Sequence, residues 1–429
     1  MKGMRDNARI ETKALHAGYT PENGGPRVLP IVQSTTYAFD SSEHIAELFN
    51  MPTEYMYSRF ANPTCDAVEK KIAAMEGGVG AMLTTSGQAA SLLSVLNICQ
   101  AGDSIVAASA IYGGTINLFG FTLKKLGIEC IWVDNRASEE EISAKIKDNT
   151  RLIFGETLAN PSLDVFDIER FAKVAHEHKI PLIVDNTFAT PYLCRPFEFG
   201  ADIVVHSTTK YMDGHALQVG GCIVDSGNFD WKASGKFPEM TEPDESYHGV
   251  IYTEAFGNAA YILKARMQLM RDFGCYPSAH SAFLLNLGLE TLPVRMKQYC
   301  ENAMTVAKAL EHHEKIASIH YPGLESAGYD HELAKKYLPL GTSGVISMSI
   351  KGGRAAAERF INALQLASNE VHVADIRTCV LHPASSTHRQ LTDEQLVAAG
   401  IDGGMVRLSV GLENVEDILE DVLTALEEA

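Results

Sequence analysis

The 429-residue chain is longer than one hydrophobic core usually spans, so two or three domains are expected. Apolar residues make up 46% and charged residues 21%, as in an ordinary soluble globular protein. The net charge of −18, with no clustered Lys and Arg, argues against a nucleic-acid or anionic-membrane surface, and no stretch approaches the length of a membrane span.

In chain order, the polar start MKGMRDNARIETK has no apolar signal region, which points to a cytoplasmic protein. Residues 1–60 read as an irregular arm with Pro21, Gly24, Gly25 and Pro26 close together, a segment expected to dock on another surface such as a partner subunit. Residues 61–265 read as a large α/β domain. AMLTTS, SIVAAS, IECIWVD, RLIFGET and PLIVDN are expected strands. AASLLSVLNIC, INLFGFTLKKLG, EEEISAKIKD and IERFAKVAHEHK are expected helices between them. Strands alternating with helices imply a mostly parallel sheet covered on both faces. Ser138 with Glu141 makes a capping box at the third helix. Residues 226–256 form a long irregular insert, expected to serve function or subunit contact. Residues 266–429 read as a smaller α+β domain, with VISMSI and MVRLSV as strands. Its last helix is VEDILEDVLTALEE, and Val415, Ile418, Leu419, Val422, Leu423 and Leu426 form that helix's buried face. None of the eight cysteines forms a C-x-x-C pair, so they are expected to be reduced thiols, and no metal site is expected. Gly235-Lys236 lacks the rest of a Walker loop.

The chemistry concentrates in Leu182–His215. Asp185 closes the apolar run LIVD, and Lys210 follows ADIVVHSTT. Both runs are short, rich in Val and Ile, and too uniform to be half solvated, as in strands buried in a parallel sheet. Side chains at the ends of such strands converge on the crevice where open α/β sheets bind ligands. A lysine and an aspartate there suit pyridoxal phosphate, held as a Schiff base to the lysine while a carboxylate keeps its ring nitrogen protonated. Either residue alone is more often a surface lysine or a cap. The hydroxyls of Ser207, Thr208 and Thr209 beside Lys210 shift that balance by supplying phosphate donors. In LTTSGQAA, Ser86, Gly87 and Gln88 would point backbone N–H groups from a helix N-terminus at a phosphate. Arg59 in YSRFANPT offers a planar fork suited to the same group.

These segments, with IYGGT, ANPSLDV and MVRLSVGLEN, resemble the cysteine and methionine metabolism family of pyridoxal-phosphate enzymes, from about Ile10 to the C-terminus. The resemblance implies a fold-type-I transferase of the aspartate aminotransferase kind: a mostly parallel sheet sandwiched by helices, with a smaller α+β C-terminal domain. It also implies a set of roles. Lys210, Asp185 and Tyr112 would be catalytic, with Tyr112 stacking on the ring. Ser86, Gly87, Gln88, Ser207 and Thr209 would hold the phosphate, joined by Tyr57 and Arg59 from the adjacent subunit of a homotetramer built as a dimer of dimers. Asn160 and Thr187 would contact the ring, and Arg407 would grip the substrate α-carboxylate with Tyr57 and Asn160 nearby. The implied reaction is γ-replacement on O-acetyl-L-homoserine by sulfide or a small thiol. The insert at 226–256 and Gly114, where methionine γ-lyases carry a cysteine, favour that reaction over methionine γ-lyase and cystathionine synthase or lyase activity. A catalytically retired, non-enzymatic member is the remaining alternative. LHPASSTH at 381–388 matches a family motif and reads equally well as a structural loop. Phe60-Ala61 and His372 depart from the family pattern, and His372 stands where a small Ser or Asn is common.

Overall fold

The computed structural model describes residues 4–5, 7–50, 54–386 and 402–429. Seven strands form the larger sheet: β1 (Gly80–Thr84), β2 (Ser104–Ala108), β3 (Glu129–Val133), β4 (Thr150–Glu156), β5 (Leu182–Asp185), β6 (Ile203–His206) and β7 (Gly221–Asp225), in the order β1-β7-β6-β5-β4-β2-β3. β2 to β6 run parallel to their neighbours among themselves, and β7 is antiparallel to both β1 and β6. β2 and β6 are buried along their whole length, and β4 and β5 along nearly all of it, which accounts for their unbroken apolar sequences.

A second sheet holds β8 (Ile316–His320), β9 (Val345–Ile350), β10 (Ser368–Asn369), β11 (Cys379–Leu381) and β12 (Met405–Ser409), in the order β10-β11-β12-β9-β8. Each sheet has its own apolar core. The 32-residue helix Ala279–Leu310 joins them, giving Leu285, Leu289, Leu292 and Met296 to the first core and Ala303, Val306, Ala307 and Leu310 to the second. On the C-terminal helix, Ile418, Val422 and Leu426 are buried, with Val415, Leu419 and Leu423 packed half-buried beside them. The capping box is present: Ser138 Oγ accepts from Glu141 N while Glu141 accepts from Ser138 N.

Some elements differ from expectation. The helix expected over 139–148 is only Glu139–Ser143, because its apolar residues are too few to bury a longer face. The helix over 116–127 loosens into a π turn at Leu118–Thr122. The arm contains helices Ile10–His16 and Ser42–Asn50. The insert folds into short turns around an aromatic cluster, with Trp231 stacked on Tyr261 at 5.5 Å and edge-on to Phe237 at 5.0 Å. All eight cysteines are unpaired.

Candidate active site

The site is built where parallel strands end side by side. β4 and β5 are in register, so Glu156 and Asp185 sit as partners at the C-terminal edge of the sheet. Asp185 Oδ1 accepts from Thr187 N (3.0 Å) and Thr187 Oγ1 (2.5 Å), and Thr187 Oγ1 in turn accepts from Ser207 N (2.8 Å). Thr187 thus ties the end of β5 to the turn that carries Lys210. Burial pushes the Asp185 carboxyl above its ordinary range against the pull of those two donors.

Lys210 lies in the turn after β6. Burial first, then the Arg407 guanidinium, pulls its amine down to about 8. Its Nζ is 3.4 Å from His372 Nδ1. Arg407, in the middle of β12, donates from Nη1 to Asn160 Oδ1 (3.0 Å) and from Nη2 to His372 O (2.9 Å). It is 6% exposed, and its Nε is buried without a hydrogen-bond partner among the described residues. Among the described residues no acidic side chain forms an ion pair with it. A buried guanidinium left in that state is costly unless an anionic ligand completes it.

Ser86, Gly87 and Gln88 stand at the start of helix Gly87–Leu96. Ser86 Oγ caps the helix by accepting from Ala89 N (3.0 Å), so its hydroxyl serves the backbone. A Cβ on Gly87 would lie 2.6 Å from the Ser207 side chain, so the glycine lets the helix start and the Lys210 turn meet. Gln88 Nε2 donates to Thr115 Oγ1 (3.4 Å). Thr209 Oγ1 is engaged with Gly220, donating to its O (3.1 Å) and accepting from its N (3.0 Å). Tyr112 is 46% exposed, with its N–H donated to Glu156 Oε2 (2.6 Å).

Tyr57 and Arg59 stand apart. Both are exposed, Arg59 lies over the Tyr57 ring, and it donates to Arg271 O. Among the described residues no hydrogen bond links either one to the Lys210 cluster. The insert also makes its polar contacts elsewhere: Ser234 Oγ donates to Lys179 O, Lys236 O accepts from Arg151, and Gln268 reaches Ser246. Among the described residues none of the insert's hydrogen bonds reaches Lys210. In the LHPASSTH segment Leu381 ends β11 and His382–Ser386 follow it, with His382 bonded to Ser385 and Gly403. Thr387 and His388 lie outside the described residues.

Sequence reading missed two polar groups. Glu156 ends β4 as Asp185 ends β5, and that shared position was the available signal. Burial and the neighbouring Asp185 raise the Glu156 carboxyl well above its ordinary range. Behind the site, buried Glu76 accepts from Asn186 Nδ2 (3.0 Å) and pairs with His206 (2.6 Å). No sequence spacing links residues that far apart.

The residues present fit pyridoxal phosphate. A helix N-terminus meets a hydroxyl-bearing turn across a glycine where any side chain would force the two apart, a lysine of lowered basicity stands beside it, and among the described residues a buried guanidinium lacks an anion. The family model for "Cys/Met metabolism PLP-dependent enzyme" matches residues 11–427. An O-acetyl-L-homoserine sulfhydrylase of Leptospira meyeri is 46% identical over 99% of this chain and 98% of its own. The homocysteine synthase of Schizosaccharomyces pombe is 45% identical over 99% of each. A crystal structure of an O-acetylhomoserine (thiol)-lyase from Campylobacter jejuni, described as putative, contains N'-pyridoxyl-lysine-5'-monophosphate. It superposes with a TM-score of 0.93 at 36% identity, covering 98% of this chain and 100% of that one. Among the described residues no helix is long and apolar enough to cross a membrane. With sequence, fold and site chemistry in agreement over nearly its whole length, the chain belongs to the Cys/Met metabolism PLP-dependent enzymes.

Proposed function

We propose that this chain catalyses γ-replacement on O-acetyl-L-homoserine, with sulfide or a small thiol displacing acetate to give homocysteine or methionine. The carrying observation is that Lys210, beside the unsatisfied guanidinium of Arg407, stands in the turn that Thr187 ties to Asp185, in a chain about 45% identical to an O-acetyl-L-homoserine sulfhydrylase and a homocysteine synthase over 99% of its length. Pyridoxal phosphate, when bound, supplies the electron sink that lets the Cα proton leave. In this reading Lys210 carries the cofactor, and its amine removes and returns protons at Cα and Cβ. Asp185, fixed by Thr187, holds a proton on the ring nitrogen; that cation also offsets the cost of burying the carboxylate. The N–H groups of Ser86, Gly87 and Gln88, with the hydroxyls of Ser207 and Thr209, hold the phosphate. Thr209 must exchange a Gly220 contact to take part. Tyr112 would stack on the ring and serve the leaving group, Thr187 would line the ring face, and Asn160, beside Arg407, would hold the phenolic oxygen. Arg407 takes the α-carboxylate.

The same reading makes residues 1–60 an arm that carries Tyr57 and Arg59 into a neighbouring subunit's site, next to residues 61–265 as the cofactor domain and 266–429 as the C-terminal domain. It makes the assembly a cytoplasmic homotetramer of paired dimers. The exposure of both side chains supports this. Inactive Arg59→Ala subunits mixed with inactive Lys210→Ala subunits will regain part of the activity, since a hybrid dimer holds one intact site. No recovery in subunits shown to exchange places Arg59 in its own chain's site.

The reaction itself is tested by comparing kcat/KM for homocysteine formation from O-acetyl-L-homoserine and sulfide with 2-oxobutanoate release from methionine. Replacement is expected to dominate. Dominant elimination makes the enzyme a lyase and leaves the cofactor assignments standing.

A further inference from the structure

His372 is placed to act on the lysine. Its backbone is pinned from two strands, since its carbonyl accepts from Arg407 Nη2 on β12 and lies 3.6 Å from Cys379 Sγ on β11. The ring is 18% exposed, so its position is set by the packing of the second sheet against the Lys210 turn. Nδ1 faces Lys210 Nζ at 3.4 Å. Nε2, buried and without a hydrogen-bond partner, is 3.9 Å from Asp375 Oδ2. Asp375 is locked by Arg377, accepting from its N (2.9 Å), Nε (2.8 Å) and Nη2 (3.0 Å), and these contacts hold its carboxyl below the ordinary range. An ionised carboxylate behind Nε2 favours the tautomer with its proton there, which leaves the Nδ1 lone pair facing the lysine.

We propose that His372 is a positioning residue for Lys210: neutral, with its tautomer set by Asp375, it accepts a hydrogen bond from the Lys210 ammonium, holds that side chain and strengthens it as a base. This rests on Lys210 being the cofactor lysine. The charged and titratable groups facing the ring among the described residues are Lys210, Asp375, Arg377, Arg407 and Cys379. Burial and then Lys210 push the imidazolium down, so the ring is neutral at neutral pH and available as an acceptor. The sign follows directly. An acceptor for the charged form raises the lysine's affinity for its proton, and protonating the acceptor reverses the effect. The two groups titrate as a pair, each proton opposing the other.

The test uses cofactor-stripped protein and reads Lys210 acylation by acetic anhydride against pH, by mass spectrometry of the Lys210 peptide, so it needs no catalysis. His372→Ala, shown folded by circular dichroism, removes the acceptor and is expected to lower the labelling midpoint by about one pH unit. His372→Asn keeps an acceptor near the Nδ1 position and is expected to keep the midpoint. In the wild type the rate should fall less than tenfold per pH unit where His372 gains its proton, because the imidazolium repels the lysine's proton. In His372→Asn it should fall tenfold per unit throughout. Coincident midpoints in wild type and His372→Ala overturn the proposal, as does a shallow acid limb that persists in His372→Asn. Borohydride reduction of the loaded wild type, mapped to the labelled lysine, checks the cofactor assignment separately, so each can fail without the other.

Discussion

Lys210→Ala will be inactive, and borohydride reduction of the loaded wild type will leave the pyridoxyl label on Lys210 alone. Loss of its proton transfers by itself costs on the order of 10²–10⁴-fold in rate, and loss of the attachment point adds to that. A lowered lysine pKa does not single out this residue. Lys264 is 3% exposed and also pulled down to about 8 by burial. The difference is in the surroundings. Lys264 Nζ is committed to Asn97 O (2.9 Å) and Gln268 Oε1 (2.8 Å), away from any phosphate cradle. Among the described residues Lys210 Nζ meets only an imidazole acceptor, at 3.4 Å, and it stands in the turn whose Ser207 abuts Gly87. The measurement is peptide mapping after reduction, with Lys264→Ala as the control that keeps its label on Lys210. A label on any lysine but Lys210 overturns the assignment.

The parts of the fold legible in sequence are those in which one physical demand acts along a continuous stretch. β5 and β6 could be read because a strand covered on both faces must be apolar along its buried run, and LIV and IVV are, up to the polar Asp185 and His206 that end them. Asp185 and Lys210 could be read only together: Asp185 ends one buried strand, Lys210 follows the next, and the hydroxyls of Ser207, Thr208 and Thr209 stand beside the lysine. The contacts between distant segments could not. Arg407 meets Asn160 across 247 positions, and His372 meets Lys210 across 162. Nothing in local periodicity encodes either meeting. His372 drew attention only by departing from a resembled pattern, and its part became visible once Asp375 and Lys210 were found on opposite sides of its ring. The course of the insert was equally hidden: Trp231 and Phe237 are drawn into the apolar core with Phe229 packed against it, and burying them determines where the segment goes. Tyr57 and Arg59 are exposed in the single chain, as the proposed dimer requires.

Arg407→Leu will lose about 2–5 kcal/mol of transition-state stabilisation for every α-amino acid substrate, by analogy with truncating one partner of a buried charge pair. That is roughly 30- to 5,000-fold in kcat/KM. The size follows from burial. The guanidinium is 6% exposed, two of its nitrogens are spent on Asn160 Oδ1 and His372 O, and Nε has no partner. A substrate carboxylate arriving there is desolvated and met by a charge already paid for in folding, so the interaction is far stronger than a surface pair of the same geometry. Leucine fills part of the volume but leaves Asn160 Oδ1 without the guanidinium donor and the His372 carbonyl with only the weak Cys379 thiol at 3.6 Å, so Asn160 is expected to lose its position too. Arg407→Lys keeps a charge yet cannot span Asn160 and a carboxylate together, and should fall between wild type and leucine. The decisive comparison uses O-acetyl-L-homoserine and the corresponding amine lacking the carboxylate as ligands for the loaded enzyme. Wild type should bind the first far more tightly, and Arg407→Leu should lose most of that preference while binding the amine nearly as before. If the preference survives in the leucine variant, the carboxylate is recognised elsewhere in the cleft, and the buried guanidinium serves only to join β12 to Asn160 and the His372 turn.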